Sequence, residues 1–304
     1  MPGLGCDPRV VPKLKVATCQ FPVSADLARN IGYVRRQMRT ARQRGARVAH
    51  FPECALSGYA VADFESHDGF DWPALEDAVG RIGELAAELR MWVVLGSAHR
   101  LSEGNKPHNS LYLIDDTGEL VDRYDKRFCA SVDLAHYSPG DHRSVFTIDG
   151  VRCGALICYE YRFPELYREY RREGVELVFH SYHAGNVPAG ELADRPYPAA
   201  TMPPSMIAAA AANHVWISCP NSSAPQSCWG AFFVRADGIV TGRLPRNRAG
   251  VLVSEVDTDA ALYDSTARWR GRAMDGVLHS GDLVDDPRSR ARTGFGPRTG
   301  RLGS

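Results

Sequence analysis

Three short stretches each set one reactive side chain beside a strand-like apolar run: Phe51-Pro52-Glu53, Tyr124-Asp125-Lys126-Arg127-Phe128 and Leu156-Ile157-Cys158-Tyr159-Glu160. Together they supply a base, a cation and a nucleophile. A thiol attacks well only as thiolate, so a working cysteine needs a proton acceptor and positive charge close by. Glu53 and Lys126 are of the right types. Each also has an ordinary alternative: Cys158 as a core thiol, Glu53 as a loop carboxylate, Lys126 as a surface lysine on a hairpin edge. Their meeting in space is what separates the readings.

The order Glu, Lys, Cys, with Phe-Pro-Glu at the first site and Cys158-Tyr-Glu-Tyr-Arg-Phe-Pro-Glu165 at the third, resembles the nitrilase superfamily of carbon-nitrogen hydrolases. The resemblance runs from Lys15 to Asp257. It implies an α/β fold, the four-layer α-β-β-α sandwich of that superfamily, and a reaction without a cofactor. Glu53 would take the thiol proton, Cys158 would attack a small amide, and Lys126 with the Tyr159 backbone N–H would stabilise the developing oxyanion. Water would then release the acid from a thioester. Nitrile and N-carbamoyl substrates, and acyl transfer to an amine, stay open. A non-catalytic binding or regulatory member of the fold is the reading from another class.

The family commonly carries a second glutamate after the lysine, several residues before a Pro-Gly. Counting back from Pro139-Gly140, the matching position is Asp133, one methylene shorter. Either a compact loop brings it inward as a supporting acid, or it is a plain loop carboxylate. Relatives usually pair, so the resemblance also implies a homodimer or higher homo-oligomer, with Leu262 to Asp282 reaching across.

Tyr59, Phe128, Glu160, His183 and Asn186 lie just beyond expected strand ends or beside the three motifs, where a substrate pocket belongs. His183 reads equally as a packing histidine and Asn186 as a turn cap. His180 and His183 form the one tempting metal-ligand pair. No cysteine pair supports them at zinc-site spacing, so the reading is no metal.

The elements that must position these groups follow from periodicity. Leu14 to Phe21 and Ala46 to Phe51 read as buried strands around a helix at Leu27 to Arg44, a unit whose strands run parallel. Glu53 falls just past the second strand's C-terminal end, where open α/β sheets keep their chemistry. Ala74 to Arg90 is an amphipathic helix and Trp92 to His99 a strand. Asn109 to Ile114 and Leu120 to Tyr124 form a hairpin that delivers Lys126. The pattern then recurs: a strand at Val151 to Cys158, a helix at Pro164 to Arg172, a strand at Val175 to His180. Such a duplication stacks two half-sheets, with Glu53 and Cys158 from different halves. A helix at Pro204 to Ala212 and strands at Val215 to Ser218, Ala231 to Arg235, Ile239 to Arg243 and Val251 to Val256 complete the pattern.

Composition sets the remaining bounds. Lys plus Arg equals Asp plus Glu at 36 each, so no overall field draws the chain to nucleic acid or an anionic membrane, and the expected ligand is a small molecule. The eight cysteines are scattered through apolar runs without a CxxC, the pattern of reduced thiols in a cytoplasmic protein. With 44% hydrophobic residues, one domain over residues 1–284 is expected, followed by an Arg- and Gly-rich tail at 285–304, mobile or an oligomer arm.

Overall fold

A computed structural model describes residues 13–60, 62–187, 190 and 197–290. In β1 (Lys13–Gln20) Leu14 and Val16 face one way and Ala17 and Cys19 the other, and all four are buried. That is the signature of a strand covered on both faces. α1 (Leu27–Gln43) begins at Asp26, whose carboxylate accepts the Arg29 N–H at 3.0 Å and caps the helix. β2 (Val48–His50) returns parallel to β1, with Val16 opposite Val48. α2 (Trp72–Leu89) leads to β3 (Trp92–His99), and β4 (His108–Ile114) and β5 (Leu120–Asp125) follow antiparallel.

The second half opens with β6 (Val145–Ile148) and β7 (Val151–Ile157). Their turn holds Asp149 at φ 47° and Gly150 at φ 87°, the pair of positive φ values that a tight hairpin requires. α3 (Pro164–Arg172), β8 (Leu177–Ser181), α4 (Tyr197–Asn213), β9 (Trp216–Cys219), β10 (Phe232–Val234) and β11 (Val240–Arg243) complete it. β12 (Gly250–Asp257) then crosses back to pair antiparallel with β1. The two sheets run β12-β1-β2-β3-β4-β5 and β11-β10-β9-β8-β7-β6.

These sheets stack face to face. Ala17, Cys19, Ala49, Phe51 and Val93 pack with Val34 and Met38 of α1 and Ile82 of α2. Leu14, Val16, Val48 and Val94 share the other cluster with Ala155, Leu177 and Phe179, which extends to Tyr167 and Tyr170 of α3 and Met206 of α4. Between the sheets runs a buried polar seam. His50 meets Ser218 Oγ at 2.9 Å and Ser181 Oγ at 2.8 Å, and Thr18 meets Ser218 at 2.8 Å. Burial holds the His50 imidazole well below its usual pKa, hence neutral. The result is the four-layer α-β-β-α sandwich expected from the resemblance.

One close approach fixes where Glu53 emerges. A Cβ at Gly96 on β3 would stand 2.1 Å from the Pro52 carbonyl oxygen and 2.8 Å from Cys54 N, so only glycine lets the Pro52-Glu53 loop cross this strand.

Several boundaries differ from the sequence reading. β7 stops at Ile157, and Cys158 begins a 3-10 turn, Cys158–Arg162, with φ 45°. α4 starts at Tyr197, with Pro203 and Pro204 inside it; taking Pro204 as a first-turn proline placed the start too late. The first compact unit ends at Thr266 and a second begins at Ala267. In that second unit the helices Arg270–Met274 and Pro287–Arg290 bury no residue. Of the expected tail, residues 291–304 lie outside the described residues.

No helix among the described residues is long and apolar enough to cross a membrane. The seven described cysteines are all free, and Cys6 lies outside the described residues.

Candidate active site

Glu53, Lys126 and Cys158 arrive from different elements and converge. Glu53 follows the end of β2, and its N–H donates to Tyr182 O at 3.2 Å, just past the end of β8 in the second sheet. Lys126 sits one residue beyond β5, its backbone pinned by Lys126 N–H to Asn109 O at 2.9 Å and Gly140 N–H to Lys126 O at 2.8 Å. Its side chain is 1% exposed, and Nζ donates to Glu53 Oε1 at 2.8 Å and to Asp133 Oδ2 at 2.7 Å. One cation thus bridges two buried carboxylates.

The departure at Asp133 is met by the loop. Residues 133–135 form a 3-10 turn that carries the shorter acid to Lys126, and Asp133 also accepts the Ala130 N–H at 2.9 Å and the Tyr59 hydroxyl. Burial pushes this carboxyl up, but Lys126 and the hydrogen bonds more than reverse it and hold it below the usual carboxylate range. For Lys126, burial disfavours the charge, yet Glu53, Cys158 and Asp133 together raise its pKa well above the ordinary value.

Glu53 Oε1 takes a second donor, Asn109 Nδ2 at 2.8 Å, while Oε2 is buried with no hydrogen-bond partner. That free oxygen is the one able to accept a proton. Glu53 acts on the Cys158 sulfur through its charge and through a side-chain contact. Burial first, then Glu53, push the thiol well above its usual pKa, against the pull of Lys126. The Cys158 side chain therefore rests as a neutral thiol. Accordingly, alkylation of Cys158 by iodoacetamide should be slow at pH 7 and keep rising past pH 9, because a raised pKa leaves little thiolate below it. A plateau reached below pH 8 would show a preformed thiolate.

Glu160 lies on the 3-10 turn that Cys158 begins. Expected in the pocket, it is fully buried and has its donors already: Oε2 accepts Ile157 N–H at 2.7 Å, and Oε1 accepts Tyr124 OH at 2.7 Å, Arg127 N–H at 2.9 Å and Phe128 N–H at 3.2 Å. Burial raises its pKa, and these donors oppose the rise. It clamps the Cys158 turn to the lysine loop.

The other expected pocket residues divide. Tyr59 is buried and stands between the Asp133 carboxylate and the His183 ring, whose centroid is 5.1 Å away. His183 Nε2 meets Asp63 Oδ2 at 3.1 Å, and Asn186 Nδ2 donates to Asp63 Oδ1 at 2.8 Å. Asp63 outweighs burial and raises the His183 pKa. Phe128 is 42% exposed and stacks on Phe163 at 3.9 Å, with the Tyr159 ring edge-on to Phe163 at 5.6 Å. An aromatic rim therefore adjoins the nucleophile turn. His180, the other member of the tempting metal pair, is engaged by Tyr167 and the Cys158 carbonyl. Among the described residues no group of three or more metal-ligating side chains assembles.

Sequence reasoning missed Asn109, Asp63 and Cys54. Asn109 left a signal, a polar side chain near the start of an otherwise apolar strand on the hairpin that delivers Lys126. Cys54 Sγ donates to Asn109 Oδ1 at 3.5 Å, and nothing in its loop foretold this. Asp63 sits in a charged stretch that reads as surface. Converging buried charge marks the site; other clefts are lined by Trp72 and Tyr112 and by His67 and His136.

The family described as carbon-nitrogen hydrolase matches residues 15–263 of this chain. A nitrilase homolog 2 of Dictyostelium discoideum is 26% identical over 180 residues, 55% of this chain and 53% of that protein. A deaminated glutathione amidase of Yersinia enterocolitica is 27% identical over 177 residues, covering 54% and 60%. The chain thus spans little more than half the length of these curated relatives. In three dimensions an amidase from Nesterenkonia sp. superposes with a TM-score of 0.69 at 21% identity, over 84% of this chain and 94% of that one.

Proposed function

The chain belongs to the carbon-nitrogen hydrolase family, and on that footing we propose that it hydrolyses a small amide through a thioester on Cys158. The observation that carries this is Lys126 Nζ bridging Glu53 and Asp133, at 2.8 and 2.7 Å, beside a protonated buried thiol. Glu53 Oε2 takes the thiol proton as the sulfur bonds to the amide carbon. The carbonyl π pair moves onto oxygen, where Lys126 and the Tyr159 N–H stabilise it. Glu53 returns that proton to the departing nitrogen as the C–N bond breaks, releasing ammonia or an amine. Water, deprotonated by the same carboxylate, adds to the thioester; the C–S bond breaks, the acid leaves and the thiol regains its proton. Asp133 keeps Lys126 charged and in place. No step calls for a cofactor.

The aromatic rim of Phe128, Phe163 and Tyr159 supports an apolar group on the substrate. Amides outrank nitriles and carbamoyl compounds, since two of the similar proteins are named as amidases. Ammonia release across a panel of amides, nitriles and carbamoyl compounds tests the reading: amides with apolar acyl groups should be turned over, and a panel with no ammonia released would end it. The same reading places the chain in the cytoplasm, supported by its free thiols. It also pairs two copies through Leu262 to Asp282, supported by exposed Tyr263 and Leu278.

A further inference from the structure

His180 takes no part in the chemistry described above, yet it holds the backbone of the nucleophile. It lies on β8, fully buried, with its ring stacked 4.4 Å from that of Tyr182. Nε2 is 3.2 Å from the Cys158 carbonyl oxygen, and Nδ1 is 2.8 Å from the Tyr167 hydroxyl. These partners fix the tautomer. A carbonyl only accepts, so Nε2 must carry the proton, and Nδ1 must then accept from the Tyr167 O–H. Burial lowers the imidazole pKa to about 3, so this neutral form persists wherever the protein works.

What the bond restrains is a peptide plane. The amide joining Cys158 to Tyr159 is planar and trans, so its C=O and N–H point in opposite directions, and anchoring one end aims the other. Cys158 also sits at φ 45°, a conformation a non-glycine residue keeps only when its surroundings over-determine it. We propose that His180 is a positioning residue of this site: by holding the Cys158 carbonyl it aims the Tyr159 N–H at the point where the substrate oxyanion forms. Tyr167 acts one step further back, by holding the tautomer. This rests on the amide-hydrolase reading, in which that N–H is an oxyanion donor.

The test separates aiming an oxyanion donor from shaping the nucleophile. His180→Phe keeps a buried ring and loses the donor; His180→Gln offers an amide N–H at the Nε2 position. On the best amide of the panel, His180→Phe should lower kcat about 10- to 100-fold with KM within about twofold, the pattern of an interaction made only in the transition state. Iodoacetamide should still alkylate Cys158 within about twofold of the wild-type rate, because that reaction develops no oxyanion. His180→Gln should recover most of kcat, and Tyr167→Phe should fall between.

A His180→Phe kcat within about threefold of wild type would overturn the inference. So would turnover and alkylation falling together in His180→Phe, or a His180→Gln variant that folds with a native melt and is as slow as His180→Phe. Should His180→Phe fail to fold, Tyr167→Phe decides: it must lower kcat without slowing alkylation while His180→Gln keeps most of kcat, and a Tyr167→Phe with wild-type kcat overturns the inference. Wild type and Cys158→Ala are run alongside. An active wild type, an inactive Cys158→Ala and unaffected His180 variants sink only the His180 inference, whereas a wild type inactive on every amide overturns both.

Discussion

Replacing Cys158 with alanine is expected to abolish amide turnover, by at least about 10³-fold, while leaving the fold intact. The size of the loss follows from the route. Without sulfur no thioester forms, and Glu53 and Lys126 can only assist direct attack by water on the amide. The fold should survive because the wild-type thiol is neutral at rest, so its removal strands no charge. Alanine keeps the backbone demand at φ 45° much as cysteine does. Ammonia release and a thermal melt check both halves. Turnover above a tenth of wild type would mean that another group carries the reaction.

Lys126→Met should be damaging in two ways, lowering turnover by about two orders of magnitude or more and costing roughly 3–5 kcal/mol of stability. Methionine fills the aliphatic volume but leaves Glu53 and Asp133, both 0% exposed, without the cation that now bridges them. The pH dependence carries the sign. In the wild type the Asp133 carboxyl is held below its ordinary value, so its stabilisation is present above the unfolded-state carboxylate pKa and fades as pH falls through the folded one. The raised Lys126 pKa works at the other end, its contribution complete below the unfolded lysine pKa and lost as pH rises through the folded one. In Lys126→Met the stranded carboxylates gain by protonation, so the stability gap to wild type should narrow between pH 7 and about pH 4. Urea melts across that range measure it. An unchanged melt at pH 7 together with near-normal turnover would remove Lys126 from the site.

Much of this was legible in the sequence, for reasons that stop at identifiable points. Alternating apolar residues and the Asp149-Gly150 turn announce strands and hairpins, and Glu53 and Lys126 sit just beyond strand ends where periodicity breaks. Glu160, a carboxylate next to Cys158, reads as a pocket group; its bonds to the lysine loop come from residues more than thirty positions away and leave no local signal. Asp133 was undecidable because whether an acid one methylene short can reach Lys126 depends on loop curvature. His183 and Asn186 fell on a plausible rim, but Asp63, which joins them, lies 120 residues from His183 in the chain. Long-range partners of this kind leave no local periodicity to read.

The Glu160 clamp also bears on how the protein acquires its activity. Its four donors come from β5, the loop after it and the end of β7, so one carboxylate ties the first sheet to the second. The His50 seam joins residues 131 and 168 apart in sequence. Contacts this distant are closed late, because the chain must first give up the entropy of long loops. Glu53, Lys126 and Asp133 come from the first half of the chain, and Cys158 from the second. On the proposed roles, Cys158 reaches Glu53 and Lys126 only once the two sheets have docked, so activity should return late in refolding.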